Sequence, residues 1–311
     1  MVELPTGYMV RTPAPSDAGA IAHVVQALDV ADFGEPDFTE QDLLDDWLRP
    51  RFDLETDAWV LSGPTGRVIG YGYVWEVLVD REIEADAYVL PEYSGRGLGS
   101  QLLDLVETRA REVCHGRSMS LGVFASSANE DKRSLLERRG FRPVRSMLRM
   151  RIDLGQVSPA DAPAPAGIEI RPFVSADEGA LRSVWRDAFA DHGRFSSRGM
   201  EEWLQSRFDH PAFDPALWRV AVDGDEIVGA ILVFDVGQTG YTSSVGVRSS
   251  HRGRGIGPAL LRAAFGALRA RGQMRVIVAL DDDAESGLLS VYESAGMRLH
   301  ERHDLFSKPL A

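Results

Sequence analysis

The strongest constraint on this 311-residue chain is that it repeats itself. "WLRPRFD" from Trp47 returns as "WLQSRFD" from Trp203, 156 positions on, and "VIGY" from Val68 returns as "IVGA" from Ile227, 159 on. Gly97 and Gly255 stand 158 apart, and "RRGF", ending at Phe141, matches "SAGM", ending at Met297, at 156. Unrelated stretches that agree on one offset to within three residues mark a duplicated fold, so any architecture must be one that fits twice. Between the copies, Asp153 to Gly167 ("DLGQVSPADAPAPAG") is rich in Pro and Ala and poor in large apolar residues, the composition of a linker. The expected organisation is a first domain at 1–152, a linker at 153–167 and a second domain at 168–311.

Each copy carries the same order of signals. Extended "YMVRTP" and "IEIRPF" open the halves. Helical patterns follow at Ala18 to Leu28 and Glu178 to Ala190, then at Gln41 to Leu48 and Gly199 to Ser206. Strand pairs come next, "AWVLSG" with "RVIGYGYVWEV" and "LWRVAVDG" with "EIVGAILVFDV", turned by "TGR" and "DGDE". A further strand, "EADAYVL" or "TSSVGV", runs into a glycine-rich segment and a helix. In the second copy that helix shows Ile256, Leu260, Leu261, Phe265 and Leu268 at helical spacing. "RVIVALD", the helix "SGLLSVYESAG" with Gly296 as C-cap, and "MRLHERHDLFSK" complete the copy. The fold class is therefore α/β (mixed α+β): two tandem domains, each a central mixed sheet flanked by helices.

Composition narrows the function classes. A hydrophobic content of 44% suffices for substantial cores. The net charge of −13 gives a nucleic-acid partner little electrostatic support. Cys114 is the single cysteine, so no internal disulfide can form. Neither a signal-peptide pattern nor an apolar run long enough to span a membrane is visible, which points to a soluble, cytoplasmic protein.

The glycine segments carry the chemistry. "HRGRGIGPALL" (His251 to Leu261) and "YSGRGLGSQLL" (Tyr93 to Leu103) put bare backbone just before a helix. The first N–H groups of a helix lack partners and attract an anion, and glycine lets phosphate approach them. Arg252 and Arg254 are placed to add charge-assisted hydrogen bonds. The glycines at 253, 255 and 257 do not fit G-x-G-x-x-G, and the absence of a lysine excludes a Walker loop.

The spacing that remains resembles motif A of the GNAT superfamily, the acetyl-CoA-dependent N-acetyltransferases: Arg/Gln-x-x-Gly-x-Gly/Ala. "RGRGIG" (Arg252 to Gly257) fits in full; "SGRGLG" (Ser94 to Gly99) keeps Gly97 and Gly99 but has Ser94 at the arginine position. The order of elements is similar as well, so the resemblance covers nearly the whole chain, twice. It implies acetyl-CoA as cosubstrate, no metal, and a small-molecule amine as acceptor. It assigns cofactor contacts in the second copy to Val245, Gly246 and Val247, on the strand that offers N–H groups to the thioester carbonyl, and to Arg252, Gly253, Arg254, Gly255, Ile256, Gly257 and Pro258. In the first copy the matching positions are Ala87, Tyr88 and Val89, with Gly95, Arg96, Gly97, Leu98 and Gly99.

The family's usual general acid is a tyrosine in the helix after the next strand. Tyr292 holds that position in "ESGLLSVYESAGM", four residues before Gly296, ready to protonate a departing thiolate. Glu285 stands where Asn is usual. The first copy keeps Asn129 but has Leu136 at the tyrosine position, and leucine donates no proton. The expectation is an active second copy and a degenerate first one. Asp235, Asp281 and His192 are candidate general bases, none with a spacing that decides among them. "WRDAFADHGRF" (Trp185 to Phe195) is placed for acceptor recognition. The acceptor itself is open: a small amine, an antibiotic, or a cysteinyl pseudo-disaccharide. A different class of reading, a non-catalytic acyl-CoA-binding regulatory or scaffolding protein, is disfavoured by Tyr292.

Other residues are weaker. His300 and His303 fall on opposite faces of an extended segment, which opposes a shared metal. Cys114 lacks a nearby motif and reads as a buried, inert thiol. Oligomeric state is not legible.

Overall fold

The computed structural model describes residues 4–76, 82–155, 164–190, 197–236, 239–282 and 287–310. It contains β1 (Met9–Arg11), α1 (Ala18–Phe33), α2 (Glu40–Trp47), β2 (Ala58–Ser62), β3 (Val68–Glu76), β4 (Glu82–Val89), α3 (Leu98–Cys114), β5 (Met119–Ser126), α4 (Glu130–Arg138) and β6 (Arg142–Asp153). The second series is β7 (Ile168–Pro172), α5 (Glu178–Ala188), α6 (Ser197–Phe208), β8 (Arg219–Asp223), β9 (Glu226–Val236), β10 (Thr239–Val247), α7 (Ile256–Ala270), β11 (Arg275–Asp281), α8 (Leu288–Ser294) and β12 (Arg298–Leu310). Both series follow the expected order, and the fold is the mixed α/β one read from the sequence. Among the described residues no helix is long and apolar enough to cross a membrane.

The compact units do not follow the linker. The first comprises Met1–Met147 with Glu301–Ala311, and the second Leu148–His300, instead of the expected 1–152 and 168–311. The first unit's sheet runs β1, β2, β3, β4, β5 and is then extended by the chain's last strand. His303 to Leu310 of β12 pair antiparallel with Met119 to Ser126 of β5. The second unit's sheet runs β7, β8, β9, β10, β11 and is extended by the end of β6, where Leu154 N–H donates to Met274 O at 2.8 Å. Each unit thus takes its closing strand from the other half of the sequence.

Within the second unit, Ile256, Leu260, Leu261, Phe265 and Leu268 form the buried face of α7 against the sheet. Each such side chain contributes roughly 1.5–3 kcal/mol of burial. The entry to the first helix is built identically in both units. Arg171 donates twice to Asp177 at 2.7 and 2.8 Å, and Asp177 also accepts from Val174 N–H at 2.9 Å. Arg11, Asp17 and Ala14 N–H repeat the arrangement in the first unit.

Candidate active site

In the second unit the central strands part. β10 pairs parallel with β11 only at Gly240 with Val276 and Tyr241 with Ile277. Its antiparallel pairing with β9 continues to Val247, but the register shifts between Thr242 and Ser244. This β-bulge turns the strand over. A Cβ on Gly240 would meet Leu268 of α7, whereas one on Gly246 would meet Trp185 and Ala188 of α5 and Phe189 just after it. Without the bulge both would face the same side. Val245, Gly246 and Val247 therefore lie beyond the last β11 partner, along an opening between the strands.

That strand delivers the chain to the glycine turn. Gly253 and Gly255 have φ of 74° and 77°, the left-handed region that side chains avoid, and Gly255 is the N-cap of α7. A Cβ on Gly253 would have nothing within 4 Å, and one on Gly255 only Pro165 at 3.8 Å. The space above the turn is open to a ligand, and the first N–H groups of α7 face no helical partner. Pro258 in the first turn removes no needed donor. Ile256 is buried beneath the turn. An anion can approach the backbone here without meeting a side chain.

The two arginines also make contacts within the protein. Arg252 donates to Ala188 O at the end of α5 (2.7 Å), and Arg254 pairs with Asp223 at 3.0 Å. Both remain exposed.

Gly257 explains how α8 joins the site. A Cβ there would stand 3.0 Å from Val291 Cγ1, so the bare glycine lets α8 press on the first turn of α7. One residue on, Tyr292 is 1% exposed, and burial, with Tyr241 of β10 adding repulsion, holds its phenol well above the ordinary tyrosine range. It stays protonated at neutral pH, as a donor must.

Of the candidate bases, Asp235 accepts a short hydrogen bond from Gln273 Nε2. Asp281 is exposed at the end of β11. His192 lies outside the described residues, as does Glu285. Trp185 and Phe189, from the acceptor segment, are packed against each other with ring centroids 6.2 Å apart. Cys114 is buried, its thiol on Arg111 O. His300 contacts Arg151 and His303 contacts Glu301. Among the described residues no group of His, Cys, Asp and Glu is arranged to hold a metal.

The first unit's counterpart is different at both ends. Gly95 and Gly97 keep φ of 73° and 77°, and α3 begins at Leu98 with Gly99 against Leu135. Yet Ser94 donates to Asp131, an acid beside the turn, and Arg96 is engaged by Tyr8 and Glu92 O. The β3–β4 register runs unbroken to Val89. Past the last parallel pair, Ala85 with Val123, Ala87 N–H donates to Asp86 at 2.7 Å. Lys132 reaches from α4 to pair with the buried Asp86, 4.9 Å over the ring of Tyr88. Leu136 is fully buried where the second unit has Tyr292. The Lys132–Asp86 pair was invisible in the sequence, since no motif joins residues 46 apart.

Comparison with known proteins agrees with this geometry. The acetyltransferase (GNAT) family model matches residues 23–141 and again 180–297. A mycothiol acetyltransferase of Catenulispora acidiphila is 28% identical over 305 residues, covering 93% of this chain and 94% of that protein. The crystal structure of a GCN5-related N-acetyltransferase from Sphaerobacter thermophilus is 32% identical, with a TM-score of 0.80 over 99% of this chain and 97% of that one. A tandem GNAT protein from the clavulanic acid biosynthesis pathway shares the fold at 17% identity, with a TM-score of 0.69 over 98% and 99%. Two family matches, on two copies built around the same glycine turn, establish that the chain belongs to the GNAT family of acetyl-CoA-dependent N-acetyltransferases, in tandem form.

Proposed function

We propose that the second unit moves the acetyl group of acetyl-CoA to a primary amine of a small molecule, by direct attack in a ternary complex. The observation that carries this is a convergence in one unit: a bulged, parted β10, an open glycine turn at its end, and a buried tyrosine whose helix is pressed onto that turn by Gly257. Acetyl-CoA supplies the activated acyl group. The backbone from Gly253 to Gly257 cradles phosphate, and Val245 to Val247 line the thioester and polarise its carbonyl. Tyr292 gives its proton to the leaving thiolate. The first unit takes cofactor far more weakly, because Asp86 occupies Ala87 N–H, Lys132 fills the gap beyond, and Asp131 faces the turn where phosphate would lie. It turns nothing over.

The relatives' name makes a cysteinyl pseudo-disaccharide amine the first acceptor to try, alongside other small amines. Release of free CoA from acetyl-CoA, measured over that panel, tests the reading. We expect amine-dependent release that Gly255→Val abolishes. Release by no amine at all, with acetyl-CoA still bound, would favour a purely ligand-binding protein instead.

A further inference from the structure

The first unit holds a concavity that acetyl transfer by the second unit does not use. Its walls include Phe38, Tyr71, Tyr73, Trp75 and Tyr88, with Val25 of α1 and Leu43 of α2 above. Cβ atoms on Gly70 and Gly72 would meet Leu102 and Val106 of α3, so Tyr71 and Tyr73 project from the opposite face of β3.

Packing does not require this wall. The repeat places Ala230, Leu232, Phe234 and Gly246 where the first unit has Tyr71, Tyr73, Trp75 and Tyr88. There Trp185 closes over Gly246. The same sheet face folds there without a phenol, with Phe234 packed against Trp218 and His210, so three phenols are a departure that folding alone does not explain.

The charges point to a ligand class. Asp46 of α2 and Glu84 of β4 flank the guanidinium of Arg49, at 2.5 and 3.4 Å. That guanidinium lies 4.6 Å from the centroid of the Trp75 ring, and Tyr73 donates to Glu84 at 3.0 Å. Two carboxylates face one cation. Burial, with Glu84 adding repulsion, pushes the Asp46 carboxyl up to about 6 despite the Arg49 partner. Lys132 is already committed to Asp86. The space left beside Arg49 is about 30 Å³, enough for a water or two. An incoming ligand must therefore replace the guanidinium, not join it.

We propose that this cavity is a binding site for a small monocation, an alkylguanidine or alkylamine, and that Arg49 is its built-in occupant, displaced when the ligand enters. A flat cation over an indole, clamped by carboxylates, is the arrangement Arg49 displays, and a free guanidinium reproduces each contact. Arg49, already partly exposed, then turns to water.

The test titrates the full-length protein with propylguanidinium and propylammonium, using calorimetry and tryptophan fluorescence, with neutral propylurea as control. We expect one saturable site per chain for the cations and none for propylurea. Arg49→Ala should tighten binding at least tenfold by removing the competitor. Asp46→Asn combined with Glu84→Gln should weaken it at least tenfold, and the conservative Trp75→Phe severalfold. Gly255→Val should leave it unchanged, which separates this site from the CoA cradle. The proposal is overturned if Arg49→Ala, folded by circular dichroism, binds propylguanidinium no better than wild type. It is equally overturned if binding survives loss of both carboxylates or is lost with Gly255→Val.

Discussion

Gly257 and Val291 meet where no side chain on residue 257 would fit comfortably: a Cβ there would lie 3.0 Å from Val291 Cγ1. The first turn of α7 and the helix that carries Tyr292 are therefore set against each other by the absence of a methyl group. Gly257→Ala gains up to ~1 kcal/mol of helix propensity and incurs an overpacking cost of ~1–3 kcal/mol. We expect a small change in Tm and a several-fold fall in kcat, because Tyr292 moves with α8. Unaltered kcat for Gly257→Val, a bulkier test, would show that the contact does not position the tyrosine.

Replacing Tyr292 by Phe keeps the ring and removes the hydroxyl. Loss of a general acid typically costs ~10²–10⁴ in rate, and the low end applies here because a thiolate leaves readily. The loss should fall on kcat and spare KM for acetyl-CoA. The phenol is held above its unfolded value, so its contribution to stability is full below about pH 10 and is lost as pH rises beyond. Tyr292→Phe should then unfold less steeply with alkali, as chemical denaturation above pH 10 will show.

Substitutions in the two glycine turns should separate the copies. Gly255→Val places a β-branched side chain at φ 77° and in the phosphate space, and should weaken CoA binding well over tenfold, more than ~1.4 kcal/mol. Gly97→Val should leave the measured affinity and turnover nearly unchanged. Calorimetric stoichiometry decides between one and two sites: we expect one CoA per chain in the wild type.

Lys132→Ala leaves Asp86 buried without its cation, and breaking such a pair costs ~3–5 kcal/mol. Lys132→Ala with Asp86→Ala should recover much of that loss in urea unfolding. If the double variant is no more stable than the single one, the pair is not the source of the effect.

The Arg171–Asp177 clamp makes an acid prediction. Its hydrogen bonds with Arg171 hold the Asp177 carboxyl below the usual carboxylate range, so the stabilisation is present above about pH 4 and fades as pH falls through the lower, folded value. Asp177→Asn should cost ~1–3 kcal/mol at pH 7 and progressively less below pH 4, measured by denaturant melts.

Much of this was readable beforehand, for definable reasons. Gly253 and Gly255 were legible because few residue types tolerate their backbone angles, and the apolar face of α7 because its period is local. Tyr292 was legible through a motif, although its burial and its coupling to Gly257 were not. The trade of β6 and β12 left no trace in the sequence: both strands hold the same place in their repeats, and pairing partners are chosen in three dimensions. Arg252 and Arg254 were read as phosphate ligands because charge beside a glycine turn suggests it. Their contacts with Ala188 O and Asp223, distant along the chain, were not legible there.

The traded strand also sets a timetable for synthesis. β5 leaves the ribosome long before its antiparallel neighbour β12, which follows the whole of the second copy. At ~5–20 residues per second, translating the 185 residues after Ser126 takes roughly 10–40 s, during which one edge of the first sheet stands without its final strand. The amino-terminal copy cannot be finished first, as domains on a nascent chain usually are: its closing strand lies beyond the whole second copy, so the two are completed together.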